Sequence, residues 1–166
     1  MNRSPGVAEA SSGRLQTDAP AQTRDLGRRL GASAQPGTVL ALIGPLGAGK
    51  TELTKGVAEG LGVASVVNSP TFVLMNEHPG RLRLFHVDAY RLGDASEAVA
   101  AGLLDERQAE GVTVIEWADR LAELLPDARL ELVIEPSAEI ADQRSIRWHA
   151  YGAQHAALAA RALPHR

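Results

Sequence analysis

Apolar and polar positions fall along the 166-residue chain in blocks whose period switches between strand-like and helix-like. Within Thr23–Leu30 the leucines at 26 and 30 sit four residues apart and Gly31 follows, which predicts a short helix. Pro36–Gly37 reads as a turn. Thr38–Ile43 (TVLALI) is then an unbroken apolar, β-branched run, the pattern of a strand covered on both faces. A glycine-rich stretch comes next, after which Leu53, Val57 and Leu61 recur every four residues and predict a helix ending near Gly62.

Phe72–Glu77 and Arg81–Val87 read as strands, and Pro79–Gly80 between them predicts a hairpin. Asp94-Ala-Ser-Glu97 resembles a capping box opening a helix that carries Val99 and Leu103. Val112–Ile115 (VTVI) predicts another short strand, followed by a helix bearing Leu121, Leu124 and Leu125. Leu130–Ile134 and Ser145–Ala150 read as two late strands joined by a polar loop, and an Ala-rich helix starts at about Ala153. The expected fold is therefore α/β, with a mixed sheet (a parallel core plus a hairpin) flanked by helices. Residues 1–20 are rich in Ala, Ser, Gly and Pro without apolar period and read as a disordered tail. One domain over residues 21–152 and a C-terminal helix and tail over 153–166 complete the expected organisation.

Composition narrows the class. The length suits one domain with a real core, and no apolar run is long enough to cross a bilayer. The first residues lack a charged-then-apolar leader pattern, and the absence of cysteine excludes disulfides and thiolate metal sites, which together point to the cytoplasm. A net charge of −3 gives no global attraction to nucleic acid, so any contact with RNA is expected to be local or through a partner. Lys50 and Lys55 are the only lysines, and one of them occupies the position in the glycine-rich stretch where a compact ammonium must reach phosphates.

That stretch, Gly44-Pro45-Leu46-Gly47-Ala48-Gly49-Lys50-Thr51, fits G-x-x-x-x-G-K-[ST] without a mismatch. Glycines let backbone N–H groups approach phosphate oxygens closely, and the helix that follows adds its unpaired amides. Lys50 would neutralise the β- and γ-phosphates of a nucleoside triphosphate, and the Thr51 hydroxyl would ligate magnesium. The apolar strand before the motif and the amphipathic helix after it supply the context that a chance glycine turn lacks.

Two more strands end in acids, Asp88 after Leu84–Val87 and Glu116 after Val112–Ile115. If these strands run parallel to Thr38–Ile43, both carboxylates reach the edge where the phosphate loop lies. Asp88 then suits a magnesium site, directly or through water; Glu116 suits either metal ligation or activation of the attacking water. Taken alone, each acid could equally be a solubilising strand-end charge or a helix cap, and their convergence beside the loop favours function. His86, Asp88 and Tyr90 share a face of an extended strand, and His86 is expected to orient a neighbour rather than do chemistry. Arg91 could meet a phosphate or pair with an acid. Asn68-Ser-Pro-Thr71 occupies the place of a nucleotide-sensing loop, with Thr71 able to reach the metal or the γ-phosphate; an ordinary turn explains the pattern as well.

GPLGAGKT, SPTF, HVDAYRL and VIEW, in this order and spacing, resemble the TsaE family of small ATPases in bacterial threonylcarbamoyladenosine synthesis on transfer RNA. The resemblance covers residues from about 21 to about 150. It implies a P-loop NTPase domain binding ATP and Mg²⁺, with Thr51, Asp88 and Glu116 at the metal and Trp117 beside the nucleotide. Thr71 would lie in a switch loop, Thr23 near the base, and Arg144 near the nucleotide. It also implies work with a TsaB–TsaD pair, in which TsaD carries the transferase chemistry and ATP hydrolysis resets the complex, with tRNA met only indirectly. The rivals are a P-loop small-molecule kinase, for which no Arg-rich lid stands out, and a nucleotide-sensing module with negligible turnover. A GTPase is disfavoured because neither lysine lies in an [NT]-K-x-D element. No arginine finger is evident, so hydrolysis is expected to be slow without partners.

Overall fold

The computed structural model describes residues 7–68, 70, 75–92 and 105–164. The described residues form one seven-stranded sheet in the order β1-β7-β6-β2-β5-β4-β3. Its strands are β1 (Glu9–Thr17), β2 (Thr38–Ile43), β3 (Met75–His78), β4 (Leu84–Asp88), β5 (Val112–Glu116), β6 (Arg129–Pro136) and β7 (Arg144–Tyr151). The helices are α1 (Pro20–Ser33), α2 (Lys50–Gly60) and α3 (Ala153–Ala162). Strands β6, β2, β5 and β4 make the parallel core, and β3, β7 and β1 join it antiparallel to their neighbours. The mixed α/β architecture read from the apolar pattern is thus the observed one.

The central strands are covered on both sides, as their unbroken apolar runs require. On one face Leu40 and Leu42 of β2, Leu84 of β4 and Val114 of β5 pack with Leu26, Leu30, Leu53 and Val57 of the two helices. On the other, Val39, Ala41, Val87 and Ile115 meet Leu92, Ala118 and Leu121. In β6 the odd positions lose their cover, and buried residues alternate with half-exposed ones.

Helices α1 and α2 touch backbone to backbone. A Cβ on Gly27 would lie 2.2 Å from the Leu53 carbonyl oxygen, and one on Gly56 would lie 2.0 Å from that of Arg24. Gly31 and Gly60 repeat the arrangement one turn on, each 2.2 Å from a carbonyl oxygen of the facing helix. Only glycine permits this approach, and it presses α1 along the helix that carries Lys50 and Thr51.

Two expectations are corrected. Residues 1–20 are not a disordered tail throughout, because Glu9–Thr17 is the edge strand β1, paired along β7. Backbone pairing sustains it with only Leu15 and Thr17 buried, and Gly13 admits the Trp148 ring, which a Cβ would approach to 2.6 Å. The helix expected around Leu121–Leu125 is instead two 3-10 turns, Ala118–Arg120 and Ala122–Leu124. Its leucines still pack on the second core cluster, but a left-handed Trp117 before them and Pro126 after them leave no room for regular α-turns. The capping box at Asp94–Glu97, its helix with Val99 and Leu103, and the start of the expected strand at Phe72 lie outside the described residues.

Helix α3 is integral to the sheet. His155 is buried, and its Nε2 accepts the Val39 N–H at the start of β2 at 3.0 Å. Accepting requires a neutral ring, and burial pushes the His155 pKa below the ordinary value, partly offset by the Tyr151 backbone.

Two outcomes are expected. Gly56→Ala, which at an exposed helical site would stabilise by up to about 1 kcal/mol, should here destabilise by about 2 kcal/mol through the clash with Arg24, measured by urea unfolding. Below pH 6.5 the unfolded chain takes up a proton at residue 155 that the folded chain refuses, so stability is lost as the pH falls toward the lowered folded value. The urea midpoint should therefore drop more between neutral and mildly acidic pH in the wild type than in His155→Gln; equal slopes would assign the loss to other groups.

Candidate functional site

The loop from Gly44 to Thr51 leaves the end of β2 and opens α2, so the sheet and the helix hold its two ends. Gly47 and Gly49 take left-handed conformations, φ +78° and +108°, which side chains disfavour. A Cβ on Gly47 would meet nothing within 4 Å, whereas one on Gly44 would lie 2.4 Å from the Ile134 carbonyl oxygen. The glycines therefore do different work: Gly44 fits against β6, and Gly47 sits in the open turn. Leu46 projects into solvent, and Ala48 N–H donates to the Pro45 carbonyl at 3.1 Å.

Lys50 is buried, and its Nζ donates to the carbonyls of Gly44 at 2.6 Å and Pro45 at 2.9 Å. The Trp117 ring lies over the ammonium at 4.0 Å. Burial lowers the Lys50 pKa, opposed by the nearby carboxylates of Glu116, Asp119 and Asp88.

Parallel pairing in register sets Asp88 beside Glu116 and Glu116 beside Leu42, so the ends of β4, β5 and β2 coincide. Ala89 N–H donating to the Glu116 carbonyl at 3.0 Å locks that junction. The Glu116 side chain is buried, accepts from the Thr51 hydroxyl at 2.9 Å and is held on its other oxygen by His86 Nε2. Thr54, one turn further along α2, donates to the Lys50 carbonyl and reaches Glu116 at 3.5 Å. Asp88 accepts the Tyr90 N–H at 2.9 Å; burial pushes its pKa up, that hydrogen bond opposes the rise, and the Glu116 charge adds to it.

Trp117 has φ +58°, the only left-handed residue other than glycine among those described. This turn swings its ring from the strand end over Lys50 and against Tyr90, 4.8 Å between ring centroids, with the Arg120 guanidinium 5.3 Å from the Tyr90 ring. The cleft between loop, carboxylates and aromatic pair has a volume of about 410 Å³.

A second depression of about 180 Å³ lies across the loop, lined by Thr23, Gly47–Gly49, Asp142 and Arg144 among others. Thr23 is buried there with its hydroxyl 2.8 Å from that of Thr17, so the strand missed in the sequence supports this wall. Arg144 donates to the carbonyls of Ala48 at 2.8 Å and Gly47 at 3.2 Å, and to the turn at Ala141 and Gln143. Because N–H and C=O point oppositely in a planar peptide, holding Ala48 O turns the Gly49 N–H away from Arg144.

The structure thus gathers Thr51, Asp88, Glu116, Lys50 and Trp117 round one cleft and places Thr23 and Arg144 at the neighbouring one. Thr71 lies outside the described residues. Thr54 and Arg120 were not foreseen; Thr54 had a signal in its helical spacing from Lys50 and Thr51, whereas nothing in the sequence pairs Arg120 with the aromatic rings. Among the described residues no three His, Asp or Glu side chains form a metal cage by themselves, and no helix is long and apolar enough to cross a membrane.

Fold and site define a mixed α/β domain with a glycine-rich strand-to-helix loop facing a carboxylate pair. The family described as threonylcarbamoyl adenosine biosynthesis protein TsaE matches residues 17–146. The chain belongs to the TsaE family. It is 45 % identical over 134 residues to the tRNA threonylcarbamoyladenosine biosynthesis protein TsaE of Bacillus subtilis, covering 80 % of this chain and 82 % of that protein. With the Streptomyces coelicolor protein of the same name it shares 44 % identity over 115 residues, 68 % of this chain and 78 % of the relative. The crystal structure of Bacillus subtilis YdiB superimposes with a TM-score of 0.74 at 36 % identity, covering 90 % of this chain and 93 % of that one.

Arg144→Ala is expected to speed amide hydrogen exchange at Gly47–Gly49 several-fold while leaving β2 and β5 amides unchanged. Unaltered exchange in the loop would show that Arg144 does not hold it.

Proposed function

We propose that the chain is a magnesium-dependent ATPase serving tRNA threonylcarbamoyladenosine formation, and that it acts with TsaB and TsaD to reset their complex between turnovers. The observation that carries this reading is the convergence of Thr51, Glu116 and His86 directly behind a phosphate loop with left-handed Gly47 and Gly49. Family membership supports the pathway, and the partners rest on the resemblance alone.

The residues present fit both ligands. Thr51 offers a hydroxyl, and Asp88 and Glu116 offer carboxylate oxygens from adjacent strand ends, the hard donors that magnesium takes together with phosphate oxygens and water. When bound, magnesium would draw charge from the phosphate oxygens. Lys50, released from the Gly44 and Pro45 carbonyls, neutralises the β- and γ-phosphates, and the loop amides with the start of α2 cradle them. Glu116, unable to swing because His86 and Thr51 hold both its oxygens, orients the attacking water as well as the metal's oxygen shell. The depression at Thr23 and Arg144 takes the nucleoside side of ATP.

Lys50→Ala is expected to abolish ATP binding in a nucleotide titration. Glu116→Ala should bind ATP but hydrolyse it at least about a hundredfold more slowly; hydrolysis at the wild-type rate would refute its role. In a reconstitution with TsaB, TsaD, tRNA and the threonylcarbamoyl donor, multiple turnovers should require this protein and ATP. Repeated turnover without either would end the partner assignment.

A further inference from the structure

His86 holds Glu116 through Nε2, and its other ring nitrogen, Nδ1, is buried without a hydrogen-bond partner among the described residues. One strand away, on β3, His78 carries a matching deficit. Its Nδ1 lies 2.9 Å from Ser65 Oγ, while its Nε2 is buried with no partner among the described residues. The antiparallel register pairs Asn76 with His86 and His78 with Leu84. His78 and His86 are therefore diagonal neighbours on one face of the sheet, the face that packs against α2. They are near enough that His86 adds to burial in lowering the His78 pKa.

The Glu116 carboxylate constrains the His86 tautomer, whereas the Ser65 hydroxyl can donate to His78 Nδ1 or accept from it. A ring nitrogen facing a carboxylate carries the hydrogen, so a neutral His86 is protonated on Nε2 and bare on Nδ1, a buried acceptor. A Ser65 hydroxyl donating to His78 Nδ1 makes His78 the Nε2–H tautomer, a buried donor. Each group left unmatched would carry its full desolvation penalty, and the two are of opposite kind.

We propose that Ser65, His78 and His86 form one directional line of hydrogen bonds onto Glu116, in which His78 Nε2–H reaches His86 Nδ1 through a single buried water. His78 and Ser65 are then positioning residues for the Glu116 carboxylate. Such a line is cooperative, because each donor polarises the next. It also ties the site to the segment leaving α2, since Ser65 lies between Gly62 and the Asn68–Thr71 stretch. A displacement of Ser65 would be transmitted to Glu116 through the two imidazole rings. The effect on hydrolysis rests on the ATPase reading above; the hydrogen-bond line does not.

Proton–nitrogen correlation spectra of the full-length chain with labelled histidine report the tautomer and bonding of each ring nitrogen. Both His78 and His86 should be Nε2–H, and His78→Phe should move the His86 Nδ1 resonance to that of an unbonded imine nitrogen. Ser65→Ala, a change too small to threaten folding, should move His78 Nδ1 in the same sense. Both variants should lower kcat for ATP about tenfold with KM nearly unchanged, and His78→Gln, which keeps a donor, should recover most of the loss. An Nδ1–H tautomer at His78, an imidazolium at His86, or a His86 resonance indifferent to His78→Phe overturns the line. Shifted resonances with wild-type kcat overturn the positioning role. A chain that hydrolyses no ATP refutes the ATPase reading, and the spectra then judge the line by themselves.

Discussion

A carboxylate at the end of a buried parallel strand must be given donors, and the arrangement around Glu116 follows from that need. Removing an ionised group from water costs several kcal/mol unless the protein replaces the lost hydrogen bonds. Here β4 supplies His86 and α2 supplies Thr51, so strand register and helix placement both answer to one side chain. The in-register pairing of Asp88 with Glu116 brings the second acid to the same edge. The same geometry leaves Lys50 facing three carboxylates, which partly oppose the lowering of its pKa by burial.

Holding that arrangement requires α2 to be fixed against the sheet, and the glycine contact with α1 fixes it. Backbones in contact cannot slide by a fraction of an ångström without collision, so the helix into which the glycine-rich loop leads is seated firmly from behind. On the other flank, Arg144 ties the loop carbonyls to the start of β7. Strain appears where the scaffold ends. Trp117, left-handed and stacked between Lys50 and Tyr90, is the kind of conformational outlier that gathers at functional sites. In the proposed ATPase, rigid elements carry the oxygens and loop amides, while the aromatic ring and Lys50 are the parts that must rearrange for phosphate.

The glycine-rich loop, the strands at Thr38–Ile43 and Val112–Ile115, and the acids Asp88 and Glu116 at the ends of two strands were legible because each rests on local chemistry. Apolar runs mark doubly covered strands, glycines mark left-handed turns, and parallel strands of a mixed sheet deliver their ends to one edge. The expectation that His86 orients a neighbour was equally local, since an alternating strand places it on the face of Asp88. What failed was also local in cause. The composition of Glu9–Thr17 resembles a tail, and the spacing of Leu121, Leu124 and Leu125 resembles a helix.

By itself, then, the sequence determined the class of fold, the glycine-rich motif and the polar residues at the strand ends, because backbone conformation and burial pattern are written in neighbouring side chains. Only the tertiary structure decided that residues 9–17 complete the sheet, that His155 caps β2 from the far end of the chain, and that Arg144 grips the loop. It likewise decided that Ser65 and His78 stand behind His86. The physical reason is the same in each case. An edge strand is sustained by hydrogen bonds to a partner more than a hundred residues away, and a buried polar atom takes whichever partner the packed core brings within reach.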